Sequence, residues 1–167
     1  MPFSSCTVIF GCGNILLGDD GYGPAVIEQL ESDQLLPREV TAVDAGTGIR
    51  EYLFDYLLAP ELRPETIIIL DAVDFPGRKP GEVFTIDPSE VPAGKIHDFS
   101  LHQFPTVNLL HELKEETGMA ISIIAAQIKS IPNQVAPGLS APMIKAVAAT
   151  CKRITELTSC SETLKTP

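Results

Sequence analysis

The stretch "ETIIILDAVDF" (65–75) limits what this chain can fold into more than any other. Ile67, Ile68, Ile69 and Leu70 stand in a row without polar alternation, so a strand here needs cover on both faces. Such strands belong to parallel sheets joined by helical crossovers. The rest of the chain supplies the parts. "TVIFG" (7–11) and "MAISIIAAQI" (119–128) are further buried-strand runs, and "EVTAVDAGTG" (39–48) is a strand ending in a glycine turn. "GEVFTID" (81–87) is a short strand reached through the turn "PGRKPG". Helical spacing marks "AVIEQLES" behind Gly23-Pro24, then "IREYLFDYLL" (49–58), "PTVNLLHELKEET" (105–117) and "APMIKAVAATCKRITELTS" (141–159). "PSEVPAGKIHDFSLHQF" (88–104) and "PNQVAPGLS" (132–140) read as loops. This order predicts an α/β fold: a three-layer α/β/α arrangement with a mostly parallel central sheet of about five strands flanked by helices. Ligands of such folds gather at the C-terminal edges of the strands.

A length of 167 residues fits one domain, 1–167, with 160–167 as a frayed tail. No apolar run approaches the ~20 residues of a membrane span. "MPFSSCTVIF" lacks a basic region and a signal-type apolar core, so a cytoplasmic protein with no membrane partner is expected. Lys and Arg number 12 against 22 Asp and Glu, a formal charge of -10, which argues against nucleic acid as a partner. The four cysteines form no CxxC pair and are expected to be reduced thiols. Cys12 stands out because it lies inside a glycine-rich turn.

That turn, "GCGNILLGDDGYGP" (11–24), holds five glycines and two adjacent acids. Glycine-rich turns between a strand and a helix often hold phosphate, but this one has no third glycine for GxGxxG and no GK[ST]. Asp19 and Asp20 would also repel phosphate. The plainer reading is a turn whose acids favour a helix N-terminus. It accounts for one acid but not for Asp71, which directly follows four apolar residues, nor for Asp44 and Asp74 near strand ends. A buried carboxylate needs a partner, a hydrogen bond or a cation. The glycines would let backbone pass close to a ligand, and the acids say that the ligand is cationic. Among the histidines, His111 reads as a surface residue of a helix and His97 is undecided between lysine and aspartate neighbours. His102, in "FSLHQF", stands in the loop before a helix. Two carboxylates and one histidine make a two-oxygen, one-nitrogen metal set. Carboxylates acting as acid and base without metal are the alternative. No GxSxG supports a serine nucleophile.

"GCGNILLGDDGYGPAVI", "IIILDAVD" and "SLHQF" together resemble the hydrogenase maturation endopeptidases, from about Thr7 to the last helix. "KIHDFSLHQFPTVNLLHELKE" looks most like the branch serving coenzyme F420-reducing hydrogenases of methanogens. The resemblance implies removal of a C-terminal peptide from the large-subunit precursor of a nickel-iron hydrogenase, after nickel insertion. It implies that Asp20, Asp71 and His102 are the metal-contacting and catalytic set. The nickel would come with the substrate, and another divalent cation could take its place in crystals. A nickel-binding maturation chaperone or scaffold without hydrolysis is the rival. The family's second turn commonly reads Gly-Gly-Thr, whereas this chain has Ala45-Gly46-Thr47. Ala45 resists positive φ, so the substrate loop Gly46, Thr47, Gly48 would have to place that freedom at Gly46 or Gly48.

Overall fold

A computed structural model describes residues 7–88 and 106–160. Its elements in chain order are β1 (Thr7–Cys12), a 3₁₀ turn (Gly18–Gly21), α1 (Tyr22–Ser32), β2 (Val40–Gly46), α2 (Ile49–Leu58) and a second 3₁₀ turn (Pro60–Leu62). They continue with β3 (Thr66–Val73), β4 (Val83–Ile86), α3 (Thr106–Thr117), β5 (Ala120–Gln127) and α4 (Ala141–Cys160). The sheet runs β2-β1-β3-β5-β4, parallel throughout except for β4, which pairs antiparallel with β5 at one edge. The expected five-strand, mostly parallel sheet is therefore observed. The last helix extends through Cys160, one residue into the segment expected to fray; residues 161–167 lie outside the described residues, as does most of the expected 88–104 loop. Among the described residues no helix is long and apolar enough to cross a membrane.

The run of isoleucines does what its lack of alternation requires. In β3, Ile67, Ile69 and Val73 belong to one buried cluster, with Leu53 of α2 and Leu110 and Leu113 of α3. Ile68, Leu70 and Ala72 point the other way, into a cluster with Val26 and Leu30 of α1 and Met143 and Ile154 of α4. Residues two apart share a face, so Asp71 lies on the α2–α3 side of the sheet. Cys12 of β1, which follows the Gly11–Leu70 pair, faces the same side. β2 is the edge strand and only half-buried, in keeping with its more polar sequence.

Two of the acids lie inside their strands rather than past them. Asp71 does not end its strand: it pairs opposite Ala125 inside β3, which continues to Val73. Asp44 likewise lies within β2, opposite Gly11. Asp74 does follow the strand, and its carboxylate accepts a hydrogen bond from Gln127 Nε2 at 3.0 Å. Gln127 accepts in turn from the Phe75 amide at 2.8 Å, which fastens the exits of β3 and β5 together.

Candidate functional site

The glycine-rich turn leaves β1, crosses the C-terminal edge of the sheet and enters α1. Its glycines serve the chain's own packing rather than a ligand, contrary to the reading from sequence. A Cβ on Gly11 would stand 2.5 Å from Ile27 Cγ1 and 2.6 Å from the Gly23 oxygen. Gly13, at φ 136°, leaves no room for a Cβ against the Asp20 carbonyl. The turn thus folds tightly on itself, and this closeness fixes where its two acids go.

Those acids have separate tasks. Both are buried, at 2% exposure for Asp19 and 1% for Asp20, so neither is a solvated helix-start residue. The Asp19 carboxylate accepts hydrogen bonds from the amides of Lys129 (2.8 Å) and Ser140 (2.7 Å), and from Ser140 Oγ (2.9 Å). It ties the first turn to the chain leaving β5 and to the start of α4. Asp20 accepts from the Asn14 amide at 2.9 Å, which closes the loop between them. Asn14 Oδ1 accepts from the Leu16 amide at 3.0 Å. We expect Asp19→Ala to cost about 2–4 kcal/mol, because it removes a buried acceptor shared by several part-buried donors at once. A urea titration followed by circular dichroism would measure it, and a loss below about 1 kcal/mol would contradict this role.

The second turn is organised by Asp44, whose Oδ1 accepts from the Gly46 amide at 3.0 Å. The ladder slips between Gly11 and Cys12, so that Cys12 pairs with Gly46 and Ala45 is the extra residue. Gly46 is left-handed at φ 51°, and Ala45 is not among the residues of positive φ. The conformational freedom that Ala45 could not provide is therefore placed at Gly46, one of the two positions expected.

Cys12 feels the charges of three carboxylates. Its thiol is held well above the usual range, first by burial and then by the charges of Asp71, Asp44 and Asp20, in that order. The charges of Asp20 and Asp71 are thus both felt at Cys12, as is that of Asp44, which pairs with Gly11 and so lies on the α1 side of the sheet; no site role fell to Asp44 from sequence. His102 and His97 lie outside the described residues, so the third expected ligand has no geometry here. His111 is on the surface, 3.7 Å from Glu115. Among the described residues no group of three or more His, Cys, Asp or Glu is placed to hold a metal ion.

The model of the family described as hydrogenase maturation protease matches residues 24–157. This chain belongs to that family. The hydrogenase maturation protease fold also recurs in a solved relative, the [NiFe] hydrogenase maturation protease HycI of Thermococcus kodakarensis. That structure aligns with a TM-score of 0.71 at 25% identity over 92% of both chains. In sequence the chain is 35% identical, over 150 residues, to coenzyme F420 hydrogenase subunit delta of Methanothermobacter thermautotrophicus, covering 88% of this chain and 90% of that one. It is 32% identical to the hydrogenase 3 maturation protease of Escherichia coli K12 over 68% of each. The family resemblance carried by the glycine turn, the Asp71 strand and "SLHQF" is confirmed, and with it the assignment as a hydrolase.

Cys12 and Cys151 are free and buried, which suits a structural role for both thiols. Burial, then the charge of Asp33, pushes Cys151 up to about 11. Both thiols titrate near 8.5 when the chain is unfolded. The unfolded state therefore loses those protons first, and stability falls as pH rises from about 8.5 toward the folded values. We expect a urea midpoint that is flat from pH 6 to 8 and lower at pH 10. Iodoacetamide at pH 8 should leave Cys12 and Cys151 unmodified until urea is added, as read by peptide mass mapping.

Proposed function

We propose that this protease removes a C-terminal peptide from the large-subunit precursor of a nickel-iron hydrogenase, one that reduces coenzyme F420, after nickel has been installed. The observation that carries the reading is the family match over residues 24–157, in a chain whose Asp20 and Asp71 are both buried and both act electrostatically on Cys12. The relative named as a coenzyme F420 hydrogenase subunit, similar over most of both chains, supports the branch. A cytoplasmic location goes with that substrate.

His102 completes the set in this reading. α3 returns the chain to the start of β5, so its first turn lies toward the C-terminal edge, on the face that Asp71 shares. Thr106, where α3 begins, is four residues beyond His102. The precursor brings nickel on soft thiolates, and Asp20, Asp71 and His102 add a harder, weaker grip. Such a grip engages only a precursor that already holds its metal. Gly46, Thr47 and Gly48 form the loop that meets the substrate chain. Another divalent cation would be held by the same three side chains in a crystal.

A second reading is a nickel-binding scaffold that does not hydrolyse. One observation favours it: the Methanothermobacter relative bears the name of a hydrogenase subunit rather than of a protease. One assay separates the readings. Enzyme stripped by chelator, and then freed of it, is mixed with nickel-free and nickel-loaded precursor. We expect a shortened large subunit by mass spectrometry from the loaded form only. Equal cleavage of the nickel-free form would overturn the nickel requirement, and binding without any cleavage would favour the scaffold.

A further inference from the structure

Asn14 stands where the two turns at this edge of the sheet meet. The amide before it, that of Gly13, donates to the Gly46 carbonyl at 2.9 Å, and its own amide donates to Asp20 Oδ2 at 2.9 Å. Two successive peptide groups thus tie the first turn to the second turn and to the acid. Gly13 makes this possible, since its φ of 136° carries the chain so close over the Asp20 carbonyl that no Cβ fits. The other side of the bend is pinned as well. Asn14 Oδ1 accepts from the Leu16 amide at 3.0 Å, an Asx turn, and the Asn14 carbonyl accepts from the Leu17 amide at 3.1 Å. The Leu17 carbonyl accepts in turn from the Asp20 amide at 3.2 Å, which closes the ring. Asn14 itself is only half-buried, and its side-chain oxygen bonds within its own turn, so core packing alone does not call for asparagine here.

We propose that Asn14 is a positioning residue for the cleavage reaction: its Asx turn fixes the amide that orients the Asp20 carboxylate for the metal-bearing precursor. The inference rests on the role proposed for Asp20 and adds the residue that aims it. The last torsion of an aspartate is broad and soft. A donor held against one oxygen narrows it, and so fixes the plane in which the carboxylate offers its lone pairs. Asp20 is 1% exposed, so bulk water does not do this for it. The donor is a backbone amide, which every residue but proline has. What asparagine adds is an acceptor at the right reach to hold that amide still. Aspartate offers the same reach, whereas glutamine is one methylene too long for the turn and alanine offers no acceptor.

The test compares Asn14→Ala, Asn14→Gln and Asn14→Asp. Nickel-loaded precursor is the probe, with binding followed by fluorescence anisotropy and cleavage by mass spectrometry. Hydrogen exchange of the residue-14 amide, read by NMR without precursor, reports the aiming directly. Asn14→Ala and Asn14→Gln should lower kcat/KM about 10–100-fold and speed that exchange, while Asn14→Asp should restore both. Urea midpoints should stay close together across the three variants. Wild-type cleavage by Asn14→Ala, or unchanged exchange of its residue-14 amide, would overturn the inference and leave the proposed function standing. Recovery by glutamine rather than aspartate would also overturn it, because the side-chain amide would then be meeting the precursor itself. Precursor binding that follows the same order of variants, without any cleavage, would overturn the hydrolase reading and keep the aiming of Asp20. Neither binding nor cleavage by the wild type would overturn both.

Discussion

Asp71→Asn is expected to leave a folded protein that processes precursor at least about 100-fold more slowly. The substitution keeps the shape of the side chain and removes its charge. Asp71 is 1% exposed, and its charge acts on the buried Cys12. Holding a carboxylate in so buried a place costs the fold desolvation, and a thiolate at Cys12 would be repelled by it. A neutral amide relieves the desolvation cost, so the melting temperature should hold or rise while activity falls. That pattern is the usual trade between stability and a strained functional site. Asparagine also presents an amide in place of an anionic oxygen, a poor match for the hard side of a cation's coordination. A second readout is independent of substrate. Asp71 is the leading charge that raises Cys12, after burial, so the Cys12 thiol should titrate lower in the variant. Wild-type processing with a lowered Cys12 would remove Asp71 from the cation site while leaving its place beside Cys12 intact.

The buried acids that sequence picked out were those signalled by local contrast. An acid after four apolar residues is anomalous wherever it stands, so Asp71 could be read directly. The buried strands were legible for a similar reason: a run such as Ile67 to Leu70 has no polar face to offer solvent. The difference between Asp19 and Asp20 was not legible, because adjacent identical side chains carry the same local signal. What separates them is Ser140 and Lys129, 121 and 110 residues away, whose amides reach Asp19 alone. Asp44 was placed near the right edge but given no role in the site. Its proximity to Cys12 follows from the β1–β2 register, which a one-residue slip at Cys12 sets. The glycines were misread for a physical reason too. A missing Cβ records that something comes close, and sequence cannot say whether that is a ligand or the chain itself.

That last distinction predicts the largest loss of stability. Gly23→Ala is expected to unfold the protein or cost more than about 4 kcal/mol. Helix propensity alone argues the opposite, since alanine in place of glycine should gain up to about 1 kcal/mol in α1. Space decides the sign. A Cβ at Gly23 would stand 2.5 Å from the Cys12 nitrogen and 2.6 Å from the Leu70 oxygen, and would overlap the Cys12 oxygen outright. These are backbone atoms of two central strands, and they cannot swing aside as a side-chain tip can. Moving them would displace Cys12 itself and Leu70, the residue before Asp71, so the site would go with the fold. Gly46→Ala supplies the contrast. Gly46 is left-handed, but a Cβ there meets nothing within 4 Å, so only backbone strain of about 1–2 kcal/mol is expected. Urea midpoints of the two variants test the account directly. Gly23→Ala matching the wild type would mean that α1 does not press its first turn against β1 and β3. Gly46→Ala collapsing alongside it would mean that the second turn, and not the first, is where the glycines of this protease are indispensable.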